Sequence, residues 1–135
     1  MIVVDASALA NMLVYDGERG RAARTVLTRD PAWAAPEHWK AELFSVLRGL
    51  SLAGKLSLDR AEWAVARIPR LGVEHVPLDG LLPRMWQLRD NISSYDAAYV
   101  ALAEQRALTL VTSDTRLART ATGVCCVELV GVTAP

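Results

Sequence analysis

Four carboxylates in this chain stand where surface decoration does not explain them: Asp5, Glu42, Asp96 and Asp114. Asp5 ends the apolar run Ile2-Val3-Val4. Glu42 lies in a tryptophan-bearing helical stretch, Asp96 opens a segment that is apolar almost all round, and Asp114 follows a strand-like run. Singly, each has an ordinary reading as a helix cap or a half-exposed helix residue. Asp96, three residues after Ser93, could close a capping-box-like pair with it. Gathered in one place, the four would repel each other and resist desolvation, and a divalent cation is the usual remedy. Hard oxygen donors without a thiolate or histidine cluster suit Mg²⁺ or Mn²⁺ better than Zn²⁺. Ser7, Asn91, Ser94, Thr112 and Ser113 set small hydroxyls and an amide beside the same acids, suited to orienting carboxylates or ion-bound waters.

Other chemistries find less support. There is no phosphate-binding glycine loop of the G-x-x-x-x-G-K-[ST] or G-x-G-x-x-G kind, and no G-x-S-x-G elbow. His38 and Glu42 have i,i+4 spacing, but one histidine with one glutamate is a thin zinc site. A haloacid-dehalogenase-like phosphatase would also start from a strand-end Asp. It wants a second acid two residues on, where this chain has Ser7, and a lysine near the late acids, where the only lysines are Lys40 and Lys55. Cys125 and Cys126 are neighbours, which disfavours both a disulfide and a metal pair; they are expected as buried free thiols in a late strand.

The elements that must position the acids follow from hydrophobic patterning. Residues 2–5 read as a short buried strand, 6–14 and 17–28 as helices, and 32–35 as a second strand. Pro36 is placed as a helix start for 36–52, with Trp39, Leu43, Val46, Leu47 and Leu50 as its apolar stripe and His38, Glu42, Ser45 and Gly49 beside it. Further helices are expected at 58–70, 81–89 and from Ser93 or Ser94 through Arg106, with a short one at 114–121. Strands are expected at 73–77, 108–112 and 124–129. Strands alternating with helices of this length imply βαβ crossovers: an α/β fold of three layers, with a central, mostly parallel sheet of four or five strands flanked by helices. Ligands of such sheets bind beyond the carboxyl ends of the strands, where Asp5 and Asp114 fall.

At 135 residues the chain reads as one domain with a respectable core. No uncharged apolar stretch approaches the roughly 18 residues that a bilayer requires, and the opening Met-Ile-Val-Val-Asp does not resemble a signal peptide. The expectation is a cytoplasmic protein without membrane contact. Net charge is zero, yet without the four acids 11 acidic side chains face 15 basic ones, 13 of them arginine. Arginine suits phosphate. Arg19, Arg21, Arg24 and Arg29 cluster after the first helix, Arg116 and Arg119 after Asp114; a solvated helix face is the plainer reading. Trp33, Trp39, Trp63 and Trp86 are either core residues or the lining of a partner groove or dimer face.

These residues carry a resemblance. Val-Val-Asp5-Ala-Ser7-Ala-Leu, the Pro36…Glu42-Leu-Phe…Leu-Arg48 helix, Asn91-Ile-Ser-Ser-Tyr-Asp96-Ala-Ala-Tyr-Val-Ala-Leu-Ala and Leu-Val-Thr112-Ser113-Asp114…Leu117-Ala together resemble a PIN domain. The likeness is to the VapC-type toxins of bacterial toxin–antitoxin pairs, and it runs almost end to end. It implies a single PIN domain over 1–135 and a Mg²⁺- or Mn²⁺-dependent endoribonuclease. It also implies a homodimer held inactive by a cognate VapB-type antitoxin. By the same resemblance Asp5, Glu42, Asp96 and Asp114 match the acidic quartet; on chemical grounds Asp5 and Asp96 are the first choice as direct metal ligands, with Asp114 next. Thr112 matches the hydroxyl residue two before the last acid, and Ser7 and Asn91 fall at supporting positions. Some PIN domains carry a further acid about a turn beyond Asp114, where this chain has Arg116, Leu117 and Arg119. A catalytically inactive, partner-binding PIN-like module is the rival from outside the enzymes.

Overall fold

Short runs of β-branched and small apolar residues, each bounded by a helix signal, pair into one sheet in a computed structural model that describes residues 1–131. The strands are β1 (Ile2–Val4), β2 (Trp33–Pro36), β3 (Val73–Val76), β4 (Leu110–Thr112) and β5 (Val127–Leu129). Their order is β3-β2-β1-β4-β5, and every pairing is parallel. Between them run α1 (Ala6–Val14), α2 (Glu18–Arg29), α3 (Trp39–Leu52), α4 (Leu58–Arg67), α5 (Leu82–Gln87), α6 (Ser94–Arg106) and α7 (Thr115–Ala121). The expected α/β architecture is therefore a five-stranded, all-parallel sheet flanked by helices.

The strand order contains a reversal that matters for the site. From β1 the chain steps outward through β2 to β3, then returns to the other side of β1 for β4 and β5. Adjacent parallel strands whose connections leave in opposite directions open a crevice at their carboxyl ends. Here that crevice lies between β1 and β4, just before Asp5 and Asp114. Val3, Val4, Leu110 and Val111 are fully buried beneath it, as central parallel strands require. Helix α6 packs on β1, β2 and β4; its residues Ala97 to Ala103 are all buried, which is why no polar stripe interrupts that part of the sequence.

Several boundaries differ from the sequence expectation for local reasons. Pro36 ends β2 opposite Val76 instead of opening α3, which begins at Trp39; a strand end tolerates a residue without an amide donor. Helix α4 stops at Arg67 and a 3₁₀ turn, Ile68–Arg70, follows, because Pro69 cannot continue the α-helical bonding. Of the apolar side expected for this segment, Ala61 on α4 and Ile68 in the 3₁₀ turn are buried, but Leu58 and Val65 are exposed. Gly20 is needed where α2 crosses the end of α1, since a Cβ there would sit 1.6 Å from the Tyr15 carbonyl oxygen. The expectation of buried cysteines fails: Cys125 is half-buried, Cys126 is exposed, and both are free thiols before β5 begins. Of the tryptophans, Trp39 is core, Trp33 is partly buried, and Trp63 and Trp86 reach the surface.

Candidate active site

Asp5 leaves β1 at the crevice, and its backbone amide still bonds to the Val111 carbonyl of β4 at 3.0 Å. It occupies the residue before α1, but its side chain caps nothing. Oδ2 instead accepts the Ser7 hydroxyl at 2.6 Å and the Thr112 hydroxyl at 2.8 Å. Ser7 Oγ lies 3.2 Å from Thr112 Oγ1 and accepts the Ser113 amide at 3.0 Å. Thr112 Oγ1 also accepts the Asp114 amide at 3.0 Å. A hydroxyl network thus ties the end of β1 to the turn after β4.

Asp114 behaves differently. Its Oδ1 accepts the amides of Arg116 and Leu117 at 2.9 and 3.2 Å, so this acid is a helix cap. One of its oxygens is committed to α7, and the other remains available. Asp96 sits in the first turn of α6, after Ser93, which makes no side-chain cap bond to the helix. Glu42 projects from the first turn of α3. These four acids, together with Ser7, His38, Ser45 and Tyr95, line one cavity of about 520 Å³. The sequence-expected residues Asp5, Glu42, Asp96, Asp114 and Ser7 thus meet there. Thr112 stands behind them, fully buried. Asn91 does not join them: it is exposed in the turn before α6 and outside the lining.

The electrostatics are those of an acid cluster held partly out of water. Burial pushes the Asp5 carboxyl up to about 6; the Ser7 and Thr112 hydrogen bonds oppose that rise, and the charges of Glu42 and Asp96 add to it. Asp96 is also raised, first by burial and then by Asp114 and Glu42, while Ser93 and Arg116 pull it down. Glu42 in turn holds the His38 imidazole above its ordinary value. His38 Nε2 stands 3.2 Å from Glu42 Oε1, an ion-pair distance without hydrogen-bond alignment.

Two side chains that sequence reasoning did not assign lie at this pocket: Tyr95 lines it, and Tyr99 packs behind it against His38. Tyr95 lines its rim, two-thirds exposed, with its ring 5.4 Å from that of His38. Tyr99 is fully buried, one helical turn after Asp96, and its ring meets His38 edge-on at 5.5 Å. The i,i+3 spacing from Asp96 was a legible signal for a shared face. The Tyr99 hydroxyl, Glu42 Oε1 and both His38 nitrogens are buried without a hydrogen-bond partner. Orphaned buried polar atoms at the wall of an acidic cavity fit a hydrated divalent cation, whose waters would satisfy them. Among the described residues, no three His, Cys, Asp or Glu side chains close around one point as they stand.

The PIN domain family model matches residues 2–123. The chain belongs to the PIN-domain family. Ribonuclease VapC3 of Mycobacterium tuberculosis is 39% identical over 118 residues, covering 87% of this chain and 85% of that protein. Ribonuclease VapC9 of the same species is 38% identical over 130 residues, covering 96% and 98%. Among these relatives the chain is a VapC-type PIN ribonuclease. The fold is that of Mycobacterium tuberculosis VapC20, a toxin described as cleaving the sarcin–ricin loop. That crystal structure superposes with a TM-score of 0.67 at 19% identity over 88% of this chain and 94% of the other. The family match sets aside the haloacid-dehalogenase-like phosphatase. Among the described residues, no helix is long and apolar enough to cross a membrane.

Proposed function

We propose that the protein is a Mg²⁺- or Mn²⁺-dependent endoribonuclease toxin that hydrolyses RNA phosphodiesters with an activated water. The observation that carries this reading is the meeting of Asp5, Glu42, Asp96 and Asp114 in one cavity at the β1–β4 crevice. Asp5 and Asp96, with the uncommitted oxygen of Asp114 next, would hold the ion. When bound, the ion supplies positive charge that lowers the pKa of a coordinated water and offsets charge on the phosphate. Ser7 and Thr112 hold the Asp5 carboxylate in one orientation through Oδ2, so that Oδ1 would be the oxygen left for an ion. Glu42, with an unsatisfied oxygen, takes the proton of the attacking water as its oxygen bonds to phosphorus. The ester P–O bond on the far side breaks, and the leaving oxygen takes a proton from solvent. His38 holds Glu42 in place from 3.2 Å away. Since water is the nucleophile, the RNA 2′-hydroxyl need not react, and a preference for RNA rests on groove shape and 2′-hydroxyl contacts.

The proposal extends to partners: a VapB-type antitoxin that restrains the toxin, and a homodimer as the working form. Co-expression with a cognate VapB-type antitoxin should yield a stable complex that no longer cleaves RNA. The direct test of the activity is to sequence RNA ends after induction in cells, beside an Asp96→Asn control. Discrete new ends that vanish in the control support the reading. Identical ends in both samples, or no cleavage by purified protein with Mn²⁺, would overturn it in favour of an inactive partner-binding module.

A further inference from the structure

The acid cavity lacks the side chains that usually grip a polyanion: its described lining residues include no lysine or arginine. The arginine-rich face of α2, attractive from sequence as a phosphate surface, is partly spent on packing, since Arg24 bonds the Met12 and Tyr15 carbonyls and Arg29 pairs with Glu128. Besides its acids, the cavity is walled by small side chains such as Ala6, Ser7 and Ala41 and by two rings, His38 and Tyr95. A bound ion can hold the scissile phosphate, but it has no hold on the base attached to it. The flat face of a nucleobase carries no net charge for the acids to repel, and it stacks on aromatic side chains.

Tyr95 is placed for that contact. It stands in the first turn of α6 beside Asp96 and is two-thirds exposed, whereas Ala97 to Ala103 of the same helix are buried. Its ring is supported by half-buried His38 at 5.4 Å, and fully buried Tyr99 meets His38 edge-on at 5.5 Å. Other rings that reach the surface are covered by a guanidinium. Trp63 carries Arg60 and Arg67 at 4.5 and 4.6 Å, Trp86 carries Arg89 at 4.3 Å, and Tyr15 carries Arg19 at 4.6 Å. Among the described residues Tyr95 has no such cover, and its hydroxyl makes no hydrogen bond. Folding therefore leaves most of this ring's apolar area in water, at the rim of the cavity, where a base can take it up.

We propose that Tyr95 is the base-stacking residue of the active site and receives the nucleobase of a nucleotide that flanks the scissile phosphate. The inference rests on the ribonuclease reading above and names the side chain that holds the substrate beside the ion. Stacking uses the flat face that all bases share, so this contact adds affinity and placement with little preference for sequence. His38 and Tyr99 act behind it as the support that fixes the ring at the cavity rim.

The test pairs a protein variant with a substrate that lacks the base. On an RNA that the wild type cleaves at one mapped bond, Tyr95→Ala should lower kcat/KM by about 10- to 100-fold, mainly through KM. Tyr95→Phe, which keeps the ring, should recover most of that loss. An abasic ribose placed in turn on either side of the bond should cost the wild type a similar factor at one of the two positions. At that position it should cost Tyr95→Ala less than about twofold more, because the partner of the base is already gone. Losses that multiply at both positions would overturn the proposal, since Tyr95 would then act through the fold. So would a Tyr95→Ala kcat/KM within about twofold of wild type. A Tyr95→Ala protein that turns from dimer to monomer and still cleaves like the wild type would assign the ring to a subunit contact and overturn it as well. If the wild type cleaves no RNA, the ribonuclease reading fails separately, and binding decides the stacking. With Mg²⁺, a short single-stranded RNA bearing a fluorescent adenine analogue should then be quenched by the wild type and not by Tyr95→Ala, and equal quenching would refute the contact.

Discussion

Helix α3 presents two faces, and the contrast between them separates a chemical site from a surface groove. One face carries His38, Glu42 and Ser45 into the acid cavity. Another carries Phe44, Arg48 and Leu52 into an apolar groove of about 390 Å³ shared with Ala61 and Val65 of α4. The groove is lined by large hydrophobic side chains such as Phe44 and Leu52, half or more exposed. Nothing in it is strained or unsatisfied. In the acid cavity a carboxyl is buried against its own charge and three side chains leave polar atoms unpaired. Folding gains nothing from such an arrangement, so its persistence points to chemistry.

Substitutions on the two faces should separate accordingly. The largest effect is expected at the acids: Asp5→Asn or Asp96→Asn should reduce Mn²⁺-dependent RNA cleavage by at least roughly 10³-fold, with circular dichroism unchanged. Cleavage near the wild-type rate by either variant would remove that residue from the site. Chelation by EDTA should give the same loss in the wild type, reversed by added Mn²⁺.

Next in size is a pH effect on metal-free stability. The folded Asp5 carboxyl is raised to about 6 from 3.8, so the native state binds its proton more tightly than the unfolded chain does. Stability from this group is complete below about pH 4 and is lost as pH rises to about 6, on the order of 3 kcal/mol. Urea denaturation in EDTA across that window should show the decline, and Asp5→Asn should flatten it. A wild-type curve that rises with pH there would mean that Asp5 is stabilised as an anion. Smaller still, Tyr99→Phe removes an unpaired buried hydroxyl and should leave metal-free stability within about 1 kcal/mol. A loss of several kcal/mol would show that the hydroxyl is bonded after all. On the groove face, Phe44→Ser and Leu52→Ser should change stability by about 0.5 kcal/mol or less and leave cleavage by the isolated protein unchanged. Loss of cleavage there would erase the distinction between the two faces.

Much of the scaffold was legible because each of its signals is local. The helix at 6–14 matches α1 residue for residue, since an apolar run, an acid and a small-residue helix follow in order. Pro36 misled because its fixed φ suits both a helix start and a strand end, and the choice depends on Val76 lying opposite. The arginines were not legible individually: composition cannot distinguish a guanidinium bonded to the Tyr15 carbonyl from one that faces solvent.

The acids show where local information stops. Their order, their hydroxyl neighbours and their places at strand ends were set by sequence alone, because parallel strands separated by helices must bring their carboxyl ends to one edge. Which acid becomes a cap and which a buried carboxyl of the cavity was not. Asp5 and Asp114 each precede a helix after a strand, and each could cap it. Only the pairing of β1 with β4 sets Thr112 against Asp5, a hydrogen bond between residues 107 positions apart. That contact turns the Asp5 carboxylate away from its helix and into the cavity. Asp114, without a distant hydroxyl bonded to its side chain, keeps its cap. Burial and long-range partners decide the charge state and direction of a carboxylate, and both arise only when the chain closes on itself.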